Sequence, residues 1–307
     1  MAPQLAWIGL GNMGRGMCKN IVQKASLTSP LILYNRTTAR ATALSESLGT
    51  DKTKVATTIA EAVQPASIIF ICLGDDAAVE QTIQAALDTG DVTGKLFVDC
   101  STIHPDTTRK INETLRARGA SFVACPVFGA PAFADAGTLI CVPAGPKEDV
   151  EKMKPYTTGV IARANIDFSG EEVGKASMMK LLGNSFILSF VETLGEGMVL
   201  AEKTGLGVEP LKQWLELMFP GALPKYAVRM ESGDYYQREE PLFAVDLARK
   251  DARHVMNLAK EAGMRLKSVE IADSYLKEVK EHAGAKGDIA AMYGAIRKES
   301  GLTYENQ

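Results

Sequence analysis

The chain has 307 residues, 46% of them hydrophobic and 23% charged, which is ordinary globular material with length enough for two domains and a large core. A formal net charge of -3 with no basic stripe argues against nucleic acid as a partner. No run of about 18 uninterrupted apolar residues occurs, and the opening MAPQLAWIGL lacks the basic region, apolar core and cleavage site of a signal peptide, so no membrane partner is expected and the expected compartment is the cytoplasm.

Leu5-Ala6-Trp7-Ile8 is a short apolar run that ends in Gly9-Leu10-Gly11-Asn12-Met13-Gly14, and a helical pattern through Met17, Ile21 and Val22 follows. Strand, glycine turn and helix in that order turn GxGxxG from a weak pattern into a usable one. The first glycine permits the tight turn, the second lets the backbone approach a pyrophosphate, and the third allows close helix packing. The helix N-terminus then offers N–H groups and a positive dipole end to phosphate. A bare glycine turn is the bland alternative.

Leu31 to Tyr34 is the next expected strand, and its end is where a dinucleotide fold reads the adenosine ribose. Asn35 stands 21 residues after Gly14 and is followed by Arg36, Thr37 and Thr38, with no acid to hold a free 2′-hydroxyl. Arg36 is suited to a 2′-phosphate and the threonines to further hydrogen bonds, so the expected cofactor is NADP(H). An exposed turn of this composition after a strand is equally ordinary.

Apolar runs then alternate with helical patterns: Ile68 to Cys72 and Asp75 to Leu87, Leu96 to Val98 and Pro105 to Arg118, then Phe122 to Cys125. Alternation of this kind predicts a mostly parallel sheet with helices on both faces, and ligands at the carboxyl ends of its strands. Ser101 and Thr102 sit at such an end, either as ligand contacts or as caps of the next helix. His104 reads as a surface histidine before that helix. Pro126 to Pro131 reads as a loop of small and rigid residues, and Leu139 to Val142 and Val160 to Ile161 as further strands completing the sheet.

Glu171 to Thr204 is apolar on almost every face through its middle, from Met178 to Leu194, as a helix is when other elements surround it. Into it are set Lys180 and, four residues on, Asn184, so an ammonium and an amide share one face. Such a lysine, if buried beside a cleft, loses proton affinity through desolvation and becomes fit for acid-base work. If it snorkels to the surface it does none. Helical patterns then continue over Glu209 to Met218, Val245 to Glu261, Ser268 to His282 and Ile289 to Lys298. The expected fold class is α/β: an N-terminal Rossmann-type doubly wound sheet in residues 1–165, then an all-α substrate and dimerisation domain in residues 166–307 joined by the long helix. A cleft between the two is where Lys180 is expected to face a cofactor. Five cysteines without paired spacing read as reduced core thiols, and three histidines give neither a triad nor a metal motif, so no metal is expected.

In these residues the chain resembles the β-hydroxyacid dehydrogenases, the group that includes 3-hydroxyisobutyrate dehydrogenase within the 6-phosphogluconate dehydrogenase superfamily. Ile8 to Gly14 matches that family's GLGxMG turn, Asn35-Arg36-Thr37 its NADP-preferring members, Ser101-Thr102 with Pro105 its nicotinamide-side segment, Lys180 with Asn184 its catalytic lysine and substrate-positioning asparagine, and Lys250-Asp251 its late lysine and aspartate. The resemblance implies a cofactor set of Gly9, Gly11, Asn12, Met13, Gly14, Asn35, Arg36, Thr37, Leu73, Thr102 and Lys250. It implies a substrate set of Ser101, Phe128, Gly129 and Ala130, and a small carbonyl or hydroxyacid substrate handled by a homodimer or higher homo-oligomer. Two departures stand out. The family's Ser-Gly-Gly substrate triplet is here Phe128-Gly129-Ala130, and around the lysine Ala176 and Gly183 replace a glycine and an asparagine. Two other functions remain to be weighed, an imine reductase and a non-catalytic NADP-binding sensor. The retained Lys180 weighs against the first, and Lys180 with Asn184 against the second.

Overall fold

The computed structural model describes residues 3–306. Its first compact unit, Met1–Lys180, opens with strand β1 (Leu5–Ile8), helix α1 (Asn12–Lys24) and strand β2 (Leu31–Tyr34), where the apolar runs and the glycine turn predict them. Helix α2 (Thr38–Leu48), strand β3 (Thr53–Val55) and helix α3 (Ile59–Val63) follow without having been expected. The reason is their thin apolar patterning, since α2 buries only Ala41 and Ser45. Strand β4 (Ile68–Ile71), helix α4 (Asp76–Asp88), strand β5 (Leu96–Asp99), helix α5 (Pro105–Arg116) and strand β6 (Ser121–Ala124) then lie close to their predicted bounds.

These strands are parallel in the order β3-β2-β1-β4-β5-β6, with the winding reversed beside β1. Continuous apolar runs suit strands covered on both faces. Leu5 and Trp7 of β1, Ile68 and Phe70 of β4, and Leu96 and Val98 of β5 enter one core, whereas Ala6, Ile8, Ile69, Ile71 and Phe97 enter the other. Trp7 and Phe70 stack in the first core with centroids 5.5 Å apart.

Beyond β6 the chain departs from expectation. The segment expected as a loop contains a two-residue strand β7 (Val127–Phe128), and helix α6 (Pro131–Ala136) starts at its last proline. Next come β8 (Leu139–Cys141), β9 (Ala144–Gly145), helix α7 (Lys147–Thr157), β10 (Ala162–Asn165) and β11 (Phe168–Ser169). Strand β8 does not complete the main sheet but joins a separate one in the order β10-β8-β7, and Val160–Ile161 lies just before β10 rather than in it. The main sheet is finished instead by β9, antiparallel to β6, and by β11. Two-residue strands carry no alternation to read, and Pro143 and Pro146 flank β9 closely.

Helix α8 (Gly174–Lys203) runs 30 residues, out of the first unit and into the second, Leu181–Gln307. In that unit its Leu181, Leu188, Val191, Leu194 and Met198 are buried among residues of the helices that follow. These are α9 (Val208–Met218), α10 (Pro224–Glu231), α11 (Asp234–Gln237), α12 (Val245–Glu261), α13 (Lys267–Ala283) and α14 (Met292–Glu299), of which α10 and α11, eight and four residues long, were not expected. The last expected helix begins as a 3-10 turn over Ile289–Ala291. Among the described residues this unit has no strand, and no helix of the chain is long and apolar enough to cross a membrane.

Candidate active site

The turn between β1 and α1 is held from three sides. Gly9 N donates to Tyr34 O at 3.0 Å, Leu10 N donates to Asn35 Oδ1 at 2.9 Å, and Trp7 Nε1 donates to Gly9 O at 2.8 Å. Gly9 has φ +100°, and a Cβ there would lie 2.2 Å from Cys72 O, so only glycine fits against the end of β4. A Cβ on Gly14 would lie 2.1 Å from Gly9 O, which is the close helix packing expected of the third glycine. Gly11 differs: a Cβ there would meet no protein atom within 4 Å. The turn therefore keeps open space over its middle glycine, at the start of a helix with no side-chain cap and no acid in its first turn. A dinucleotide pyrophosphate fits this cradle, with the N–H groups of the Gly11, Asn12 and Met13 region to hold it. Arg15 Nη2 donates to Asn12 Oδ1 at 2.6 Å beside it.

At the end of β2, the Asn35 side chain is committed to the turn itself, accepting from Leu10 N and donating from Nδ2 to Thr37 O at 3.1 Å. It shapes the turn at the end of β2, while Arg36 and Thr37 are exposed there. The carboxyl ends of β4 and β5 are tied together. Leu73 N donates to the buried Ser101 Oγ at 2.9 Å, and Ser101 N donates to Asp99 Oδ1 at 3.0 Å. Neither Ser101 nor Thr102 caps α5. His104 does so, with Nδ1 accepting from Asp106 N at 3.2 Å, because Pro105 at the first helical position puts the cap one residue earlier. Asp99 is buried and was missed, although an acid closing an apolar run at a strand's carboxyl end is a readable signal. Burial pushes the neighbouring Cys72 thiol up to about 12; Asp99 adds to the rise and the charge of Lys180 opposes it.

Lys180 is buried, 9% exposed, and its Nζ lies over the Phe128 ring, 4.6 Å from the centroid. The structure thus joins two residues that the sequence offers separately, the lysine and the residue replacing the family's serine. Gly129 and Ala130 are exposed beside them, Gly129 with φ +136°. In the second unit Asn184 is buried and donates from Nδ2 to Asp251 Oδ2 at 2.6 Å. Lys250 Nζ stands 3.2 Å from Asp251 Oδ1, a counter-charge without hydrogen-bond alignment, since that oxygen has no hydrogen-bond partner. Asp251 thereby links the asparagine and the late lysine.

Residues 4–166 match the NAD binding domain of 6-phosphogluconate dehydrogenase, and residues 174–296 match the NAD-binding domain of NADP-dependent 3-hydroxyisobutyrate dehydrogenase. The NADH-dependent oxidoreductase ucdB of Aspergillus ustus is 40% identical over 295 residues, spanning 95% of this chain and 98% of that one. Glyoxylate/succinic semialdehyde reductase 1 of Arabidopsis thaliana is 28% identical over 305 residues, spanning 96% and 98%. In fold, the chain is similar to Mycobacterium tuberculosis 3-hydroxyisobutyrate dehydrogenase, with a TM-score of 0.79 at 22% identity over 97% of this chain and 100% of that one.

Proposed function

The chain belongs to the 3-hydroxyisobutyrate dehydrogenase-like family of the 6-phosphogluconate dehydrogenase superfamily, and on that premise we propose that this NAD(P)-dependent oxidoreductase is an NADP(H)-dependent enzyme interconverting a small β-hydroxyacid and its aldehyde or keto partner, with Lys180 as general acid and base. The observation that carries the proposal is the buried Lys180 ammonium, in a family member whose glycine turn is open over Gly11. The bound nicotinamide supplies or accepts hydride at the carbonyl carbon. Lys180 donates a proton to the carbonyl oxygen in reduction, and as the neutral amine takes the hydroxyl proton in oxidation. Asn184, set by Asp251, orients the substrate oxygen, while Phe128, Gly129, Ala130 and Ser101 form the proposed substrate contacts. Gly9, Gly11, Asn12, Met13, Gly14, Asn35, Arg36, Thr37, Leu73, Thr102 and Lys250 make up the proposed cofactor set.

Arg36 with no acid beside it supports NADP(H), whereas the Aspergillus relative is named for NADH, so both cofactors belong in the test. The names of the relatives support glyoxylate-, semialdehyde- and 3-hydroxyisobutyrate-type substrates. The division of labour proposed is cofactor binding in residues 1–165, with substrate binding and dimerisation in residues 166–307. Phe186 and Leu217, 70% and 84% exposed in the second unit, support a homodimer or higher homo-oligomer, which sedimentation of the purified chain measures. The function itself is tested by oxidation of NADPH and NADH against glyoxylate, succinic semialdehyde and apolar ketones. Turnover of the acids with NADPH is expected; turnover confined to ketone and amine mixtures would replace the proposal with imine reduction.

A further inference from the structure

We propose that Phe128 is a positioning residue for Lys180, its ring helping to hold the ammonium in the charged, proton-donating form and fixing the place of Nζ. The inference rests on the reading of Lys180 as the proton carrier. An aromatic face carries a negative quadrupole that attracts a cation lying above it, most effectively where water is scarce. The Lys180 ammonium lies 4.6 Å from the Phe128 centroid and is almost wholly buried, so both conditions hold.

The ring is itself fixed. Phe128 pairs with Ile140 across β7 and β8, and it packs against a buried cluster together with Leu73 and Met179. Lys180 and the buried Asp99 both act on the Cys72 thiol, which burial holds neutral, so the ring works beside that carboxylate and not in place of one. Phenylalanine has no hydrogen-bonding group, and the face of its ring attracts a cation placed over it. Beside its proposed contact with substrate, which the shape of the ring decides, residue 128 thus holds the acid-base group, which the quadrupole of the ring decides, and that second effect belongs in kcat rather than KM.

The test uses the full chain with Phe128 replaced by mono-, di- and trifluorophenylalanine, which weakens the quadrupole at nearly constant shape. Two signals are followed: NADPH oxidation with glyoxylate or succinic semialdehyde, and acetylation of Lys180 by acetic anhydride near neutral pH, read by peptide mass spectrometry without cofactor or substrate. Expected are a stepwise fall in kcat, reaching about 2- to 30-fold with three fluorines, a KM within about 2-fold, and a matching stepwise rise in Lys180 acetylation. Phe128→Tyr and Phe128→Trp should keep most of the rate, while Phe128→Leu should lose it as the trifluoro variant does. Acetylation and kcat that stay level along the fluorine series would overturn the proposal. Lys180→Met separates the two claims: if it keeps its rate, the proton-carrier reading fails, and the acetylation series still decides whether the ring holds the ammonium. If neither aldehyde is turned over, acetylation alone decides.

Discussion

Alanine at Gly11 and alanine at Gly14 should separate cofactor binding from folding in one turn of the chain. Gly11 has φ -72° and ψ -171°, a backbone conformation open to any residue, and its added methyl would touch no protein atom within 4 Å. Folding is then unharmed, and the reduced freedom of the unfolded chain contributes about 0.4–1 kcal/mol of stability. The methyl instead takes the space through which phosphate reaches the turn. Lengthening one charge-assisted hydrogen bond costs about 1.5–3 kcal/mol, so NADPH should bind about 10- to 150-fold more weakly. At Gly14 the added methyl would lie 2.1 Å from Gly9 O and 3.1 Å from Trp7 Nε1. The backbone has to move, at an overpacking cost of about 1–3 kcal/mol, and the Trp7 to Gly9 hydrogen bond is disturbed with it. Calorimetric titration with NADPH and NADH, alongside thermal melts, reads both effects. Wild-type affinity in Gly11→Ala, or an unchanged Tm in Gly14→Ala, would refute this account of the turn.

Arg36→Asp should lower the NADPH-to-NADH ratio of kcat/KM by on the order of 10-fold or more, since it removes the cation for a 2′-phosphate and supplies an acceptor for the free hydroxyl; an unmoved ratio would detach Arg36 from cofactor choice. Asn20→Ala should destabilise the first unit by about 1–3 kcal/mol in urea titration. The buried Asn20 Nδ2 donates to Gly16 O and Ala134 O at 2.8 Å and to Asp135 O at 3.1 Å, tying α1 to α6, and a loss below about 0.5 kcal/mol would show that water replaces it.

Much of the first unit is legible in the sequence because local patterns specify it. The Leu5 to Gly14 stretch names a strand, a turn and a helix start by residue type alone, and α8, 30 residues long, declares itself through the apolar run in its middle. The second sheet and the far edge of the main one are not legible in full, for a physical reason. Strand β7 of the second sheet and strands β9 and β11 of the main one have two residues each and owe their existence to neighbours brought in by the fold. Pairing of β7 with β8 fixes Phe128, so the same blindness hid the contact between its ring and Lys180, which no spacing rule encodes. The caps show a milder form of the problem. Ser101 and Thr102 have the usual capping chemistry, yet Pro105 fixes the helix start and His104 takes the role. Asp251 likewise enters the sequence only as a neighbour of Lys250, and its hydrogen bond to Asn184 spans 67 residues.

The central claim is that Lys180 carries the proton, and the most direct measurement is steady-state kinetics of Lys180→Met with NADPH and the best aldehyde acid, beside a titration of NADPH affinity. The account predicts a fall in kcat of about 10²- to 10⁴-fold, with the NADPH Kd nearly unchanged because the β1–α1 turn, not the lysine, holds the cofactor. A kcat within a few-fold of wild type would contradict it.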